Sequence, residues 1–184
     1  MIIETVMSSD SLANLRLLKG NRFQFLCQMN SRDLDNTDSV HVATDGPSVQ
    51  LVSDDNNEMD AGYFEVRIPD ENYPRKCLEE GWVFLQKRNQ KIKNIYVVRT
   101  TYKNKWNSED VYFDHLCERG IVFELEDSCI YFSFYVPFNF LFDTTYLNSI
   151  DELEVPSRLG ILGEALEGSY EYKLVNIGDL MEAK

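Results

Sequence analysis

The chain has 184 residues, 43% hydrophobic and 12% aromatic, enough apolar mass for one well-buried core and too much for a disordered acidic tail. Its 18 Lys and Arg face 31 Asp and Glu, and the formal net charge of -13 opposes nonspecific binding to nucleic acid or anionic membrane over most of the surface. Cys27, Cys77, Cys117 and Cys129 are scattered singly, and the N-terminal MIIETVMSSDSLANL has no basic leader pattern, so reduced thiols and a cytoplasmic or virion location are expected, without secretion by a signal peptide.

In chain order, Ser8, Ser9 and Asp10 offer caps for a short helix over LANLRLLK, with Leu12, Leu15 and Leu18 at helical spacing and Gly20 as the stop. From Asn21 to Met29 the pattern changes to alternation, with Phe23, Phe25, Cys27 and Met29 on one side, which predicts a half-buried strand. The polar segment NSRDLDNTD is a loop, and SVHVATDGPSVQLVS reads as a hairpin about Thr44-Asp45-Gly46-Pro47. An acidic loop, DDNNEMDAG, leads to a strand from Tyr63 to Ile68 with Phe64, Val66 and Ile68 inward. Pro69 and Pro74 bracket PDENYP, a hinge within one domain of residues 1–184, between an N-terminal β lobe and a C-terminal α+β lobe.

Beyond the hinge, Gly81 to Ser108 holds Lys87, Arg88, Lys91, Lys93, Arg99, Lys103 and Lys105 and no Asp or Glu. Removing this island leaves 11 cationic side chains against 31 carboxylates, a net of -20 over the rest of the chain. GWVFLQ and NIYVVRTTY are apolar enough to be strands, while KRNQKIK is too charged to be buried, so the pattern predicts a basic hairpin with its cations on a projecting tip.

Further on, Asn107-Ser108-Glu109-Asp110 supplies a cap and an acidic first turn, and Gly120 supplies a stop, which predicts a helix over VYFDHLCER. Ile121 to Glu126 and Cys129 to Val136 alternate about Asp127-Ser128 as a second hairpin. The apolar run from Cys129 to Phe142 is too short to cross a bilayer and reads as core. Ser157 to Leu166 has helical spacing, Tyr170 to Val175 is a last strand, and Gly178 to Lys184 a terminal turn of helix. The expected architecture is therefore α+β: a single domain, mainly antiparallel sheet, with two to three helices packed on one side.

Chemistry has weaker signals. His115 and Cys117 do not share a helical face, and no C-x-x-C pair nucleates a zinc site, so neither metal nor cofactor is expected. Asp54, Asn56, Glu58 and Glu65 fall at calcium-loop positions, but Met59 occupies the place of the required glycine, and a solvated loop is the better reading. Glu171-Tyr172-Lys173 has the E-x-K spacing of metal-dependent nucleases without a distinctive partner among Asp127, Asp143 and Asp151, so solvent-facing alternation on a strand outweighs catalysis. Trp82, Phe84, Tyr96, Tyr102 and Trp106 interleave with the cations of the island, as on a single-strand nucleic-acid platform, yet the surrounding negative charge and the alternation favour core packing.

The expected function is a non-catalytic protein-interaction module, a subunit of a larger assembly such as a virus or phage structural protein. It would set basic residues Lys87, Arg88, Lys91, Lys93, Lys103 and Lys105 against acidic surfaces, its own acidic contribution coming from Asp54, Asp55, Glu58 and Asp60. The alternative is an acidic inhibitor, an immunity, anti-defence or DNA-mimic protein that covers a basic nuclease or nucleic-acid-binding partner.

Overall fold

Stretches in which β-branched and aromatic residues recur build strands over most of the residues described. The structure, a computed structural model, describes residues 2–29, 39–54, 63–69, 88–106, 111–134, 142–155 and 168–182. The elements are β1 (Ile2–Thr5), α1 (Ser9–Leu17), β2 (Arg22–Met29), β3 (Ser39–Thr44), β4 (Ser48–Asp54), β5 (Tyr63–Arg67), β6 (Gln90–Lys91), β7 (Asn94–Trp106), β8 (Val111–Glu124), β9 (Cys129–Phe134), β10 (Phe142–Leu147), a 3-10 turn (Ile150–Glu152), β11 (Gly168–Asn176) and α2 (Ile177–Glu182).

These strands form two sheets. The first has the order β5-β4-β3-β2-β6, and the second β10-β9-β8-β7-β11, with β1 added to β8. All pairings are antiparallel except β1 with β8. The inner faces share one core, in which Phe23, Val42 and Leu51 of the first sheet meet the cluster of Ile95, Phe123 and Phe132 of the second. Phe123 and Phe132 pack edge to face with centroids 5.5 Å apart. Leu12, Leu15 and Leu18 of the α1 segment join this core, and α1 lies against β5 and α2.

The second sheet is covered on its other face as well. Val98, Val122, Cys129 and Tyr131 form a separate buried cluster with Leu153, which the 3-10 turn brings over the sheet. Where the second sheet is buried on both faces its central strands read as short apolar runs, Ile95–Val98 in β7 and Ile121–Phe123 in β8, whereas the first sheet shows cleaner alternation.

The expected α+β class is corrected by this arrangement. Among the described residues the protein is mainly β, in two antiparallel sheets, and α1 is its one helix longer than six residues. The decisive difference is Val111–Glu124, expected to contain a helix and observed as a strand of 14 residues. Its polar cap residues and terminal glycine imitate helix punctuation, but Val111, Tyr112 and Phe113 favour a pleated surface, and pairing with β7 along its whole length overrides the local signal. Gly120 is needed there for a different reason. A Cβ at that position would run into the carbonyl oxygen of Phe132 and the ring of Tyr131 on β9.

Several expected elements are present. Ser8 caps α1 by accepting the Ser11 N–H at 3.1 Å, and Gly20 follows with φ of 90°. The hairpin β3–β4 and the strands β2, β5, β7, β9 and β11 lie where alternation predicts them. The second hairpin turns at Glu126-Asp127, one residue earlier than expected, closed by Leu125 N–H on the Ser128 carbonyl at 2.8 Å. Ile68, expected inward, is mostly exposed because β5 stops at Arg67. β1 and β10 have no counterpart in the sequence reading. The expected hinge segment from Asp70 to Pro74, the strand GWVFLQ and the helix from Ser157 to Leu166 lie outside the described residues.

Candidate protein interface

The segment KRNQKIK, expected as a charged loop, is stitched into the first sheet through its one apolar side chain. Ile92 is fully buried in the shared core, its N–H donates to the Asn21 carbonyl, and its own carbonyl accepts from Gly20 N–H, both at 2.9 Å. Asn89 turns the chain with φ of 51°, a left-handed conformation that asparagine tolerates better than most residues, and β6 then pairs with β2. Lys91 stands opposite Arg22 in that pairing, so a cation from outside the island joins it.

Glu126, at the tip of the β8–β9 hairpin, collects these groups. Its carboxylate accepts from Arg22 Nη1 at 3.4 Å and from the Lys91 backbone N–H at 3.1 Å, while its carbonyl accepts from Lys93 Nζ at 2.7 Å. Gln90 Oε1 accepts from Ser128 Oγ at 3.1 Å and from Asp127 N–H at 3.3 Å. Arg88 is held closer to the protein, donating to Ser128 Oγ at 3.2 Å with its guanidinium 4.6 Å from the Tyr146 ring centroid. Burial raises the Tyr146 hydroxyl pKa, an effect that Arg88 opposes. Arg22, Lys91 and Lys93 remain exposed.

The charge at this end is mixed. Lys19, Arg22, Arg88, Lys91 and Lys93 lie here with Asp45, Glu124, Glu126 and Asp127, a balance of one positive charge on a chain whose total is -13. Asp45 accepts the Arg22 N–H at 2.7 Å, and Glu124 accepts Asn94 Nδ2 at 2.8 Å and Tyr96 hydroxyl at 3.0 Å. Burial together with Glu124 raises the Tyr96 pKa. The exposed cations are therefore offset in part by carboxylates of the same chain.

The remaining island cations lie elsewhere. Lys103 lies nine positions beyond Asn94 along β7, about 30 Å at about 3.4 Å per residue, so Lys103 and Lys105 occupy the far end of the strand. Lys103 is there in register with Asp114 of β8. Arg99, between the two ends, points its guanidinium into the structure: Nη2 donates to Glu118 Oε1 at 2.6 Å, and Glu118 Oε2 accepts the Met7 N–H, also at 2.6 Å. The bulge that places Glu118 opposite Arg99 leaves Arg119 as the extra residue of β8. Lys87, Asp55, Glu58 and Asp60 lie outside the described residues, and Asp54 ends β4 in register with Tyr63.

Other candidate chemistry is dispersed. Cys117 and Cys129 are free and buried. Cys117 Sγ lies 2.9 Å from Thr100 Oγ1 and 3.1 Å from Arg119 Nε, and burial raises the Cys129 thiol pKa. Among the described residues no three His, Cys, Asp or Glu side chains converge as a metal site. Glu171 and Lys173 are exposed on β11. No helix among the described residues is long and apolar enough to cross a membrane. Compared with known proteins, the chain matches no family model, no curated protein and no solved structure.

The sequence reading missed Arg22, and took Glu124 and Glu126 only as acidic contact residues of the inhibitor alternative. Arg22 has a local signal, its place on the polar side of an alternating strand, but its meeting with Lys91 depends on a pairing between residues far apart in the chain.

Proposed function

We propose that this chain is a non-catalytic protein-interaction module, a subunit of a larger assembly such as a virus or phage structural protein, which docks its cation-bearing end on an anionic protein surface. The observation that carries the reading is the gathering of exposed Arg22, Lys91 and Lys93 around the Glu126 turn, on a chain of net charge -13. Potentials of opposite sign steer association and fix register, and a contact between one end of a copy and the anionic flank of the next is heterologous, able to close a ring or extend an array. Arg88 is committed to Ser128 and Tyr146, so it supports this surface more than it offers a free charge. Neither a cofactor nor a metal enters the reading.

The test is the mass of the purified full chain, with any partner that accompanies it, by native mass spectrometry and sedimentation at low and high salt. Association that weakens as salt rises is expected. A monomer at high protein concentration in low salt, without a partner, removes the reading.

The excess of negative charge elsewhere favours a second reading, an acidic inhibitor of a basic partner. Reversing Lys91 and Lys93 separates the two, since an inhibitor acting through its carboxylates keeps its partner while an assembly subunit loses its contact.

A further inference from the structure

The cations gathered at the β8–β9 turn already hold an anion. The Glu126 carboxylate lies 3.4 Å from Arg22 Nη1 and 3.1 Å from the Lys91 backbone N–H, and both contacts fall on Oε2, so Oε1 makes none among the described residues. A carboxylate fully engaged by cations uses both oxygens at about 2.7–2.9 Å. Here the pair is long, and its side chains are 47% and 39% exposed, so water competes for both partners and the attraction is weak.

The turn does not need this carboxylate for its shape. Its backbone is closed by Leu125 N–H on the Ser128 carbonyl at 2.8 Å, Gln90 Oε1 accepts from Asp127 N–H and Ser128 Oγ, and Lys93 Nζ donates to the backbone carbonyl of Glu126. With the Glu126 side chain swung away, only the Lys91 N–H loses a protein acceptor, at an exposed residue where water replaces it. The same end would then carry Lys19, Arg22, Arg88, Lys91 and Lys93 against three carboxylates in place of four.

We propose that Glu126 is an internal competitor for the docking surface: its carboxylate holds the place that a carboxylate of a second copy takes when two chains associate, and it leaves as that contact forms. The inference rests on the assembly reading above and adds to it how the contact is restrained. One exposed ion pair is exchanged for another, so each contact is weak and reversible and association depends on several charges engaging together. Asp127 supplies the comparison. It is exposed in the same turn, and its carboxylate pairs with no cation among the described residues.

The experiment measures self-association of the full chain by sedimentation velocity in low and high salt, for wild type, Glu126→Gln, Asp127→Asn and Lys91→Glu/Lys93→Glu. Glu126→Gln keeps the size of the side chain and an oxygen for the Lys91 N–H but removes the competing charge. It is expected to tighten association about three- to fivefold in low salt, the worth of an exposed ion pair, and the gain should fade as salt rises. Asp127→Asn makes the same change in net charge and is expected to gain less than about twofold, through screened long-range attraction alone. A Glu126→Gln chain that associates no more tightly than wild type, or no more tightly than Asp127→Asn, overturns the proposal. So does one that unfolds at much lower urea than wild type, since Glu126 would then be holding the fold together. If Lys91→Glu/Lys93→Glu still weakens association in either case, the docking reading stands without its competitor; if wild type and Glu126→Gln are both monomers in low salt, both fall.

Discussion

Two arginine–glutamate pairs in this protein share their chemistry and differ in almost everything else. Arg22 and Glu126 stand 3.4 Å apart with side chains 47% and 39% exposed, whereas Arg99 and Glu118 stand 2.6 Å apart at 19% and 2%. Water screens the first pair, and holding two long side chains in place offsets much of its attraction, so it contributes little to stability and its charges stay available to a partner. The second has lost its water and is committed inward, with Glu118 also holding the Met7 N–H and so linking the residues after β1 to the centre of the second sheet. A basic residue of this chain is therefore left at the surface or committed to the structure according to which strand face it takes, and charge alone does not distinguish the two.

The largest effect expected from this contrast follows removal of one buried partner. Glu118→Ala leaves the Arg99 guanidinium and the Met7 N–H without their acceptor and should cost about 3–5 kcal/mol in urea unfolding, the range for a buried pair broken from one side. Arg99 makes the case sharper, because its Nε is already buried without a partner among the described residues. A loss under about 1 kcal/mol, the size expected of an exposed pair, would erase the distinction.

His41 sharpens the comparison from the other sheet. It is fully buried on β3, and desolvation lowers its pKa from 6.5 to about 4. Between those values the unfolded chain binds a proton that the folded chain does not, so stability is complete above pH 6.5 and declines as pH falls toward 4. The shift corresponds to a loss on the order of 3 kcal/mol, from about 1.4 kcal/mol per pKa unit. Urea unfolding across that window should show the slope in wild type and a flatter one in His41→Leu, and parallel slopes would contradict the assignment.

The smallest effect belongs to the exposed pair. Arg22→Ala should change stability by about 1 kcal/mol or less, and that change should shrink as salt rises. A larger and salt-independent loss would mean that Arg22 is a structural residue like Arg99.

Much of the first sheet was legible in the sequence, because one face of β2 to β5 is apolar and the turn at Asp45-Gly46 is locally encoded. The N-cap of α1 was legible for the same reason, since Ser8 bonds to a residue three positions away. The second sheet was harder. β8 is buried on both faces from Gly120 to Phe123, and polar cap residues precede it with a glycine at helical distance, so local punctuation and long-range pairing disagree, and the pairing with β7 and β9 prevails. β10 begins only at Phe142, where the apolar run ends, and FDTTYL has no apolar–polar alternation to mark it as a strand. At the candidate site the sequence shows that cations accumulate but not where they go. Arg99 turns inward, Lys103 and Lys105 travel to the far end of β7, and Arg22 arrives from another strand.

The proposed contact of the exposed cations around Glu126 with another protein is best checked by partner binding of Lys91→Glu/Lys93→Glu. The double variant should keep wild-type stability, because both side chains are exposed, and should lose at least tenfold in low-salt association, with little left for added salt to remove. Association equal to that of wild type, with the same dependence on salt, would contradict the account.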